Sequence, residues 1–179
     1  EAGITVTSLP GACACITALT MSGQPTRRFA FEAFLPYDKK ERAQILENLR
    51  NETRTIIIYE APHHLKKTLK ECREYLGNRN MTVCKELTKR YEQKRKSTLD
   101  EMIAYYEENE PRGEYVLIFE GKSLQELKEE KQQEWNQLTV QEHMEHYLEK
   151  GMDKKSAMKQ VAKDRGVSKR DIYQELLKE

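Results

Sequence analysis

The run Thr55-Ile56-Ile57-Ile58-Tyr59 constrains this chain more than any other stretch. It is β-branched, with no polar residue alternating through it, and that pattern belongs to a strand covered on both faces. A helix follows at once. PHHLKKTLKECREYLG (62–77) places Leu65, Leu69, Cys72 and Leu76 on one stripe, with Pro62 in the first turn and Gly77 at the C-cap. MTVCKEL (81–87) is a further covered strand. A strand–helix–strand unit with buried strands predicts an α/β fold.

The flanking segments extend the pattern. ITVTSL (4–9) reads as a strand, Pro10-Gly11 as a turn, and ACACITALTMSG (12–23) as a short helix of small residues closed by Gly23. RFAFEAFL (28–35) alternates as a strand and stops at Pro36. DKKERAQILENLR (38–50) is helical, with Asp38 as N-cap and Ala43, Ile45, Leu46 and Leu49 facing inward. EQKRKST (92–98) reads as an exposed strand, 99–109 as a helix, and EYVLIFEG (114–121), after a Pro111-Arg112-Gly113 turn, as a final strand. Two strand–helix–strand units imply parallel pairing, and the later strands can join antiparallel. The expected fold is α/β, a mixed β-sheet flanked by helices.

Composition shifts at Lys122. Residues 123–138 are polar and hold the only Trp, which predicts a charged linker or an exposed helix. Residues 139–179 parse into three short helices, 140–150, 154–165 and 169–178. Asp153 and Ser168 serve as N-caps, and Asp171 lies three residues after Ser168. The arrangement is helix-turn-helix-like. The expected domains are 1–122, with 1–24 as an entering strand and helix, then the 123–138 segment, then a small helical domain at 139–179.

At 179 residues the chain fits one domain, or one with an appendage. Charged residues make up 34%, but the net charge is +1, so any electrostatic footprint must be local. Cys13, Cys15, Cys72 and Cys84 form no CxxC pair, which predicts a reduced cytoplasmic protein without a bound metal. No apolar run nears the about 18 residues of a membrane span, so no membrane partner is expected. The start, Glu1 leading straight into GITVTSLPGACACITAL, reads as the interior of a longer product.

Several positions carry chemistry-capable residues, each with a plainer reading beside it. Pro10-Gly11-Ala12-Cys13 joins a strand to a helix; such a turn lets backbone approach a ligand, or is an ordinary connection. Tyr59-Glu60 ends a covered strand, where open α/β sheets bind ligands; a strand-end acid is also commonly just solvated. His63 and His64 open the next helix and are suited to orienting a phosphate or moving a proton, or to helix-start hydrogen bonding. Lys89, Arg90, Lys94, Arg95 and Lys96 suit a phosphate backbone, or guard an edge strand. Lys154, Lys155, Lys159, Lys163, Arg165, Lys169 and Arg170 concentrate on the second and third tail helices, which suits an RNA-binding module, although a helix-turn-helix shape alone does not establish such contact and nearby acids almost balance these bases. Gly121 leaves room for a ligand or makes a turn.

Four segments in order, SLPGACACITALTMSGQPTRRFAFEAFLP (8–36), TIIIYEAPHHL (55–65), KELTKRYEQ (85–93) and PRGEYVLIFEG (111–121), resemble the C-terminal half of the tetrapyrrole methylase superfamily, in its rRNA ribose-methylating branch. The tail resembles the small helical domain of that branch. The resemblance implies S-adenosylmethionine in a cleft between two α/β domains, with the first domain's GxGPGD loop lying outside this sequence. It implies cofactor contacts from Pro10, Gly11, Ala12, Cys13, Tyr59, Glu60, Glu86, Leu87, Thr88 and Gly121. Leu87 would cover the adenine, and the backbone of Glu86 and Thr88 would meet its edge. The implied reaction is methylation of a cytidine ribose 2′-hydroxyl in the decoding region of 16S rRNA, on the small ribosomal subunit. Glu60 is then the first candidate proton acceptor and His63 the second. His64 departs from the family's usual arginine. Relatives are homodimers, which makes EYVLIFE or FAFEAFL a candidate interface. This portion alone would be inactive. The competing expectations are a non-catalytic RNA-binding module and a corrin or porphyrin methylase.

Overall fold

The computed structural model describes residue 3 and residues 7–177, and it divides into two compact units, Glu1–Lys122 and Ser123–Glu179. The strand expected over 4–9 falls partly on residues 4–6, outside the described residues; 7–9 carry no regular structure.

In the first unit α1 (Ala14–Ser22) precedes β1 (Phe29–Phe34), α2 (Lys39–Leu49), β2 (Thr55–Glu60), α3 (Pro62–Leu76), β3 (Asn80–Lys85), β4 (Gln93–Thr98), α4 (Leu99–Glu108) and β5 (Tyr115–Phe119). The strands order β1-β2-β5-β3-β4. Among the described residues only β1 and β2 pair in parallel; β2–β5, β5–β3 and β3–β4 are antiparallel. The first strand–helix–strand unit therefore gives neighbouring parallel strands, as expected. The second does not: β2 and β3 point the same way but β5 lies between them.

That insertion corrects one expectation. The EYVLIFE segment cannot form a surface interface, because β5 is the central strand, hydrogen-bonded on both edges and buried at all five residues. β1, by contrast, is an edge strand with Phe31 and Phe34 exposed.

The two faces are covered unequally. α2, α3 and α4 pack one face through Leu46, Leu65, Leu69, Cys72 and Met102, against Ile56, Ile58, Val83 and Leu117. Among the described residues α1 alone covers the other, with Cys15, Ala18 and Leu19 against Ile57, Cys84, Val116 and Ile118. Small side chains along α1 let the helix lie close to the sheet. Each fully buried Ile or Leu contributes about 1.5–3 kcal/mol, which is why the apolar run at 55–59 nucleates the centre of both cores.

The second unit holds α5 (Leu124–Asn136), α6 (Val140–Glu149), α7 (Lys154–Arg165) and α8 (Lys169–Leu176). Ser123, Thr139, Asp153 and Ser168 each cap a helix start through the side chain. Their core is small: Val140, Met144, Ala157, Met158, Val161, Ala162 and Ile172. Trp135 of α5 lies flat on His143 of α6, ring centroids 3.9 Å apart and 5° from parallel.

Among the described residues no group of His, Cys, Asp and Glu is arranged to hold a metal ion, and no helix is long and apolar enough to cross a membrane. All four cysteines are free thiols.

Candidate functional site

The carboxyl ends of β1, β2 and β3 and the starts of β4 and β5 share one edge of the sheet, since Glu60 pairs with Tyr115 and Tyr115 with Lys85, which pairs with Gln93. Most of the expected cofactor residues converge there. Tyr59 ends β2 on the α1 side, half-buried, edge-on to Phe31 and Phe34 at 5.0 and 5.6 Å. It packs in the α1-side core with Cys15, and Leu87 joins the same cluster from the loop after β3. The start of α1, with Pro10, Gly11, Ala12 and Cys13 exposed before it, thus adjoins Tyr59.

The helix starts at this edge are unusual in one respect. Among the eight described helices, only α1 and α3 lack a side-chain cap, with Cys13 and Ala61 in the cap positions. The first N–H groups of α1 have no intrahelical acceptor, and α1 has no acid in its first turn. Such a terminus favours an anion. The Ile16 N–H lowers the Cys13 thiol below the ordinary cysteine range, with Cys15 adding to the effect.

The loop after β3 is built by unusual backbone. Glu86 and Thr88 both have positive φ, 51° and 61°, and neither is glycine. The Glu86 carboxylate explains part of this. It accepts from the Glu114 N–H (2.9 Å) and from Lys89 Nζ (3.1 Å), while its own N–H donates to the Glu114 carbonyl (2.9 Å). These contacts, the Glu114 N–H first, hold the Glu86 carboxyl below its usual range. Gly113 faces that carboxylate so closely that a Cβ there would lie 2.5 Å from Glu86 Cγ. The Thr88 N–H donates to Glu92 (2.6 Å). Leu87 is left pointing into the α1-side cluster.

Glu60 is differently placed. In β2, Ile56, Ile58 and Glu60 face α2 and α3, while Ile57 and Tyr59 face α1. The Glu60 side chain is buried; it accepts from the Thr68 hydroxyl and from the Ala61 N–H (2.8 Å), and lies 3.9 Å from Arg42. Arg42 also donates to Thr68 (2.6 Å) and pairs with Glu71 (2.6 Å). Arg42, Glu60, His64 and Lys67 border a cavity of about 90 Å³, room for a few waters at ~30 Å³ each and none for a nucleoside. His63 is exposed in the first turn of α3, its ring 4.2 Å from that of His64, which meets Tyr37 edge-on.

Gly121 does not join this edge. It follows β5, at the opposite end of the sheet, where a Cβ would come within 2.2 Å of the Thr53 carbonyl oxygen. Its role there is close backbone approach.

The basic run is split. Lys89 is bound to Glu86 and Glu114. Lys94 and Lys96 pair across from Cys84 and Thr82 on the α1 side, and Lys94 donates to the Met21 carbonyl (3.1 Å). Arg95 lies on the other face, 3.7 Å from the centre of the Tyr105 ring. Arg90 is exposed beside Tyr91. In the helical unit Lys155, Lys169 and Arg170 border one groove together with Lys154, Met158 and Tyr173; Lys159 is exposed outside it. Lys154 belongs to the same tail cluster of cations; Tyr173 is the addition, with no signal in the sequence beyond lying at i+4 from Lys169.

Comparison with known proteins adds a family. A model of the tetrapyrrole (corrin/porphyrin) methylases matches residues 1–103. Proteins named ribosomal RNA small subunit methyltransferase I are similar over most of this chain: 47% identical in Halalkalibacterium halodurans, covering 96% of this chain and 58% of that protein; 46% in Bacillus subtilis, covering 94% and 57%; and 39% in Synechocystis, covering 97% and 61%. The chain thus spans less than two thirds of each relative's length. The crystal structure of the methyltransferase CobJ is similar in fold, with a TM-score of 0.53 at 16% identity over 67% of this chain and 52% of its own.

Proposed function

Because the chain belongs to the tetrapyrrole methylase family, we propose that it is part of an S-adenosylmethionine-dependent enzyme that methylates a cytidine ribose 2′-hydroxyl in the decoding region of 16S rRNA. The relatives' common name supports small-subunit ribosomal RNA as the substrate; the cytidine ribose 2′-hydroxyl follows from the sequence resemblance. Residues 1–122 then form the cofactor's second wall, residues 139–179 meet RNA, and the enzyme works as a cytoplasmic homodimer, with the exposed β1 edge as one surface for pairing.

The observation that carries this reading is the convergence at one sheet edge of the uncapped α1 start, Tyr59 and Leu87. This set suits the cofactor. The α1 N–H groups can receive its carboxylate, Tyr59 and Leu87 give apolar surface to its adenosine, and the backbone of Glu86 and Thr88 can address the adenine edge. When bound, the cofactor supplies an electrophilic methyl on a sulfonium. The protein must then hold the 2′-oxygen in line with that methyl and accept the hydroxyl proton as the C–O bond forms. Of the two candidate acceptors, His63 is the one open to solvent beside this edge. Glu60 is buried on the opposite face with its oxygens engaged, and we assign it to positioning β2 and α3.

The test joins this sequence to an N-terminal half taken from a relative. Calorimetry should detect S-adenosylmethionine binding by the joined chain and none, or far weaker, by residues 1–179 alone. Ribose mapping on small subunits should then show one new 2′-O-methylcytidine. A folded joined chain that binds no cofactor would remove the enzymatic reading and leave an RNA-binding module.

A further inference from the structure

Charge in the helical unit is segregated along the chain. Residues 123–149 carry seven Asp or Glu against two Lys, whereas residues 153–177 carry seven Lys or Arg against four Asp or Glu. The excess of positive charge therefore sits on α7 and α8. Two of the four acids there, Asp153 and Asp171, are turned back onto the helix starts as caps, accepting from Lys155 and Ser156 and from Ser168. The cations of the two first turns are left to face outward.

They face the same groove. Lys154, Lys155 and Met158 from the start of α7 and Lys169, Arg170 and Tyr173 from the start of α8 border a cleft of about 550 Å³. On each helix the three lie at i, i+1 and i+4, so each set shares a face. Among the described residues none of the four cations is in an ion pair, and no ring or cation lies against Tyr173, which is 54% exposed. A half-exposed tyrosine ring flanked by four unpaired cations is an arrangement for a base with its phosphates. Duplex RNA is a poor fit, since its major groove is too narrow and deep for side chains to read and its bases are already stacked.

We propose that the α7–α8 groove binds single-stranded RNA, with an unstacked base against Tyr173 and the adjoining phosphates on Lys154, Lys155, Lys169 and Arg170. The inference rests on the rRNA reading above and narrows it to an unpaired segment held by the tail. It gives the tail a part in substrate capture separate from the methyl-transfer edge.

The experiment measures binding of a short fluorescein-labelled oligouridylate to the 179-residue chain by anisotropy, beside a duplex RNA of equal length. Tyr173→Ala should weaken single-strand binding by about 5- to 150-fold, the equivalent of one base stack, and Tyr173→Phe should restore it. The double variant Lys169→Gln/Arg170→Gln should reduce the slope of log affinity against log salt by about 1.4, two single-strand phosphates' worth. Tyr173→Leu keeps apolar volume and removes the planar ring, so it should behave as Tyr173→Ala with Trp135 fluorescence unchanged. If the chain binds the oligonucleotide and none of the Tyr173 variants alters it, the groove proposal fails while the RNA reading stands. Equal or better binding of the duplex overturns it too. If the unaltered chain binds neither RNA, the groove proposal fails, and the methyltransferase reading is decided separately by cofactor binding and ribose mapping with the joined chain.

Discussion

Glu60 shows what a single residue can conceal. In sequence it is the acid at the end of a covered strand, where ligands gather in α/β sheets. In space it faces the helical layer and closes a network with Thr68, Arg42 and Glu71. Strand alternation assigns a residue to a face only when the two faces differ in polarity, and in 55–59 both are apolar. Nothing local could therefore tell which side Glu60 would take. Tyr59, one residue earlier, takes the α1 side beside Phe31 and Phe34, and the same ambiguity applied to it. The network makes a prediction. Replacing Glu60 by Gln weakens the partnership with Arg42 in a buried setting and should cost about 1–3 kcal/mol of stability, read as a lowered urea midpoint. In a chain joined to its N-terminal half, turnover per folded molecule should stay within a few-fold of the parent. A variant with full stability and abolished turnover would make the Glu60 carboxylate the proton acceptor after all.

At the scale of elements, the local signals were strong and the pairings were not. Asp38 and Ser168 cap where their side chains predict, and Pro62 opens α3. Those signals lie within a few residues of one another. The place of β5 between β2 and β3 is settled by contacts across 30 to 63 residues of chain, such as Val83 and Ile58 with Leu117, and no short-range pattern encodes it. Gly121 suffers from the same blindness. A glycine after a strand reads equally as a ligand clearance or as a turn, and only the packing of β5 beside the 53–54 backbone decides between them. Because a Cβ would sit 2.2 Å from a backbone carbonyl oxygen, the chain must shift to accept even a methyl. Gly121→Ala should therefore lower stability by about 1–3 kcal/mol, at the strained end of the overpacking range. Cofactor affinity per folded joined chain should not change. A large loss of affinity at unchanged stability would return Gly121 to the cofactor site.

For the molecule as a whole, a net charge of +1 concealed two distinct halves of the helical unit, one acidic and one basic, and two units each with a core of its own. The helical unit buries a titratable group. His143 is fully buried; its Nδ1 accepts from Arg165 (3.2 Å) and its Nε2 lies 3.6 Å from Asp164 without a hydrogen bond. Burial first, then the Arg165 cation and His146, lower its pKa, and Asp164 opposes them without prevailing. The folded unit thus prefers neutral His143, whereas the unfolded chain takes up a proton near pH 6.5. Below that pH the unfolded state binds more protons, so stability is complete above about 6.5 and declines as pH falls towards the folded value, by at most about 1.4 kcal/mol per pH unit. Trp135 is the only tryptophan and lies against His143, so its fluorescence reads this unit alone. Urea melts followed by Trp135 should show a midpoint that drops between pH 7.5 and 5.5. In His143→Gln that dependence should flatten, at a lower starting stability because the ring stack is gone. A midpoint that rises on acidification would mean that the Asp164 attraction outweighs burial and the Arg165 charge, and that His143 is held protonated in the fold.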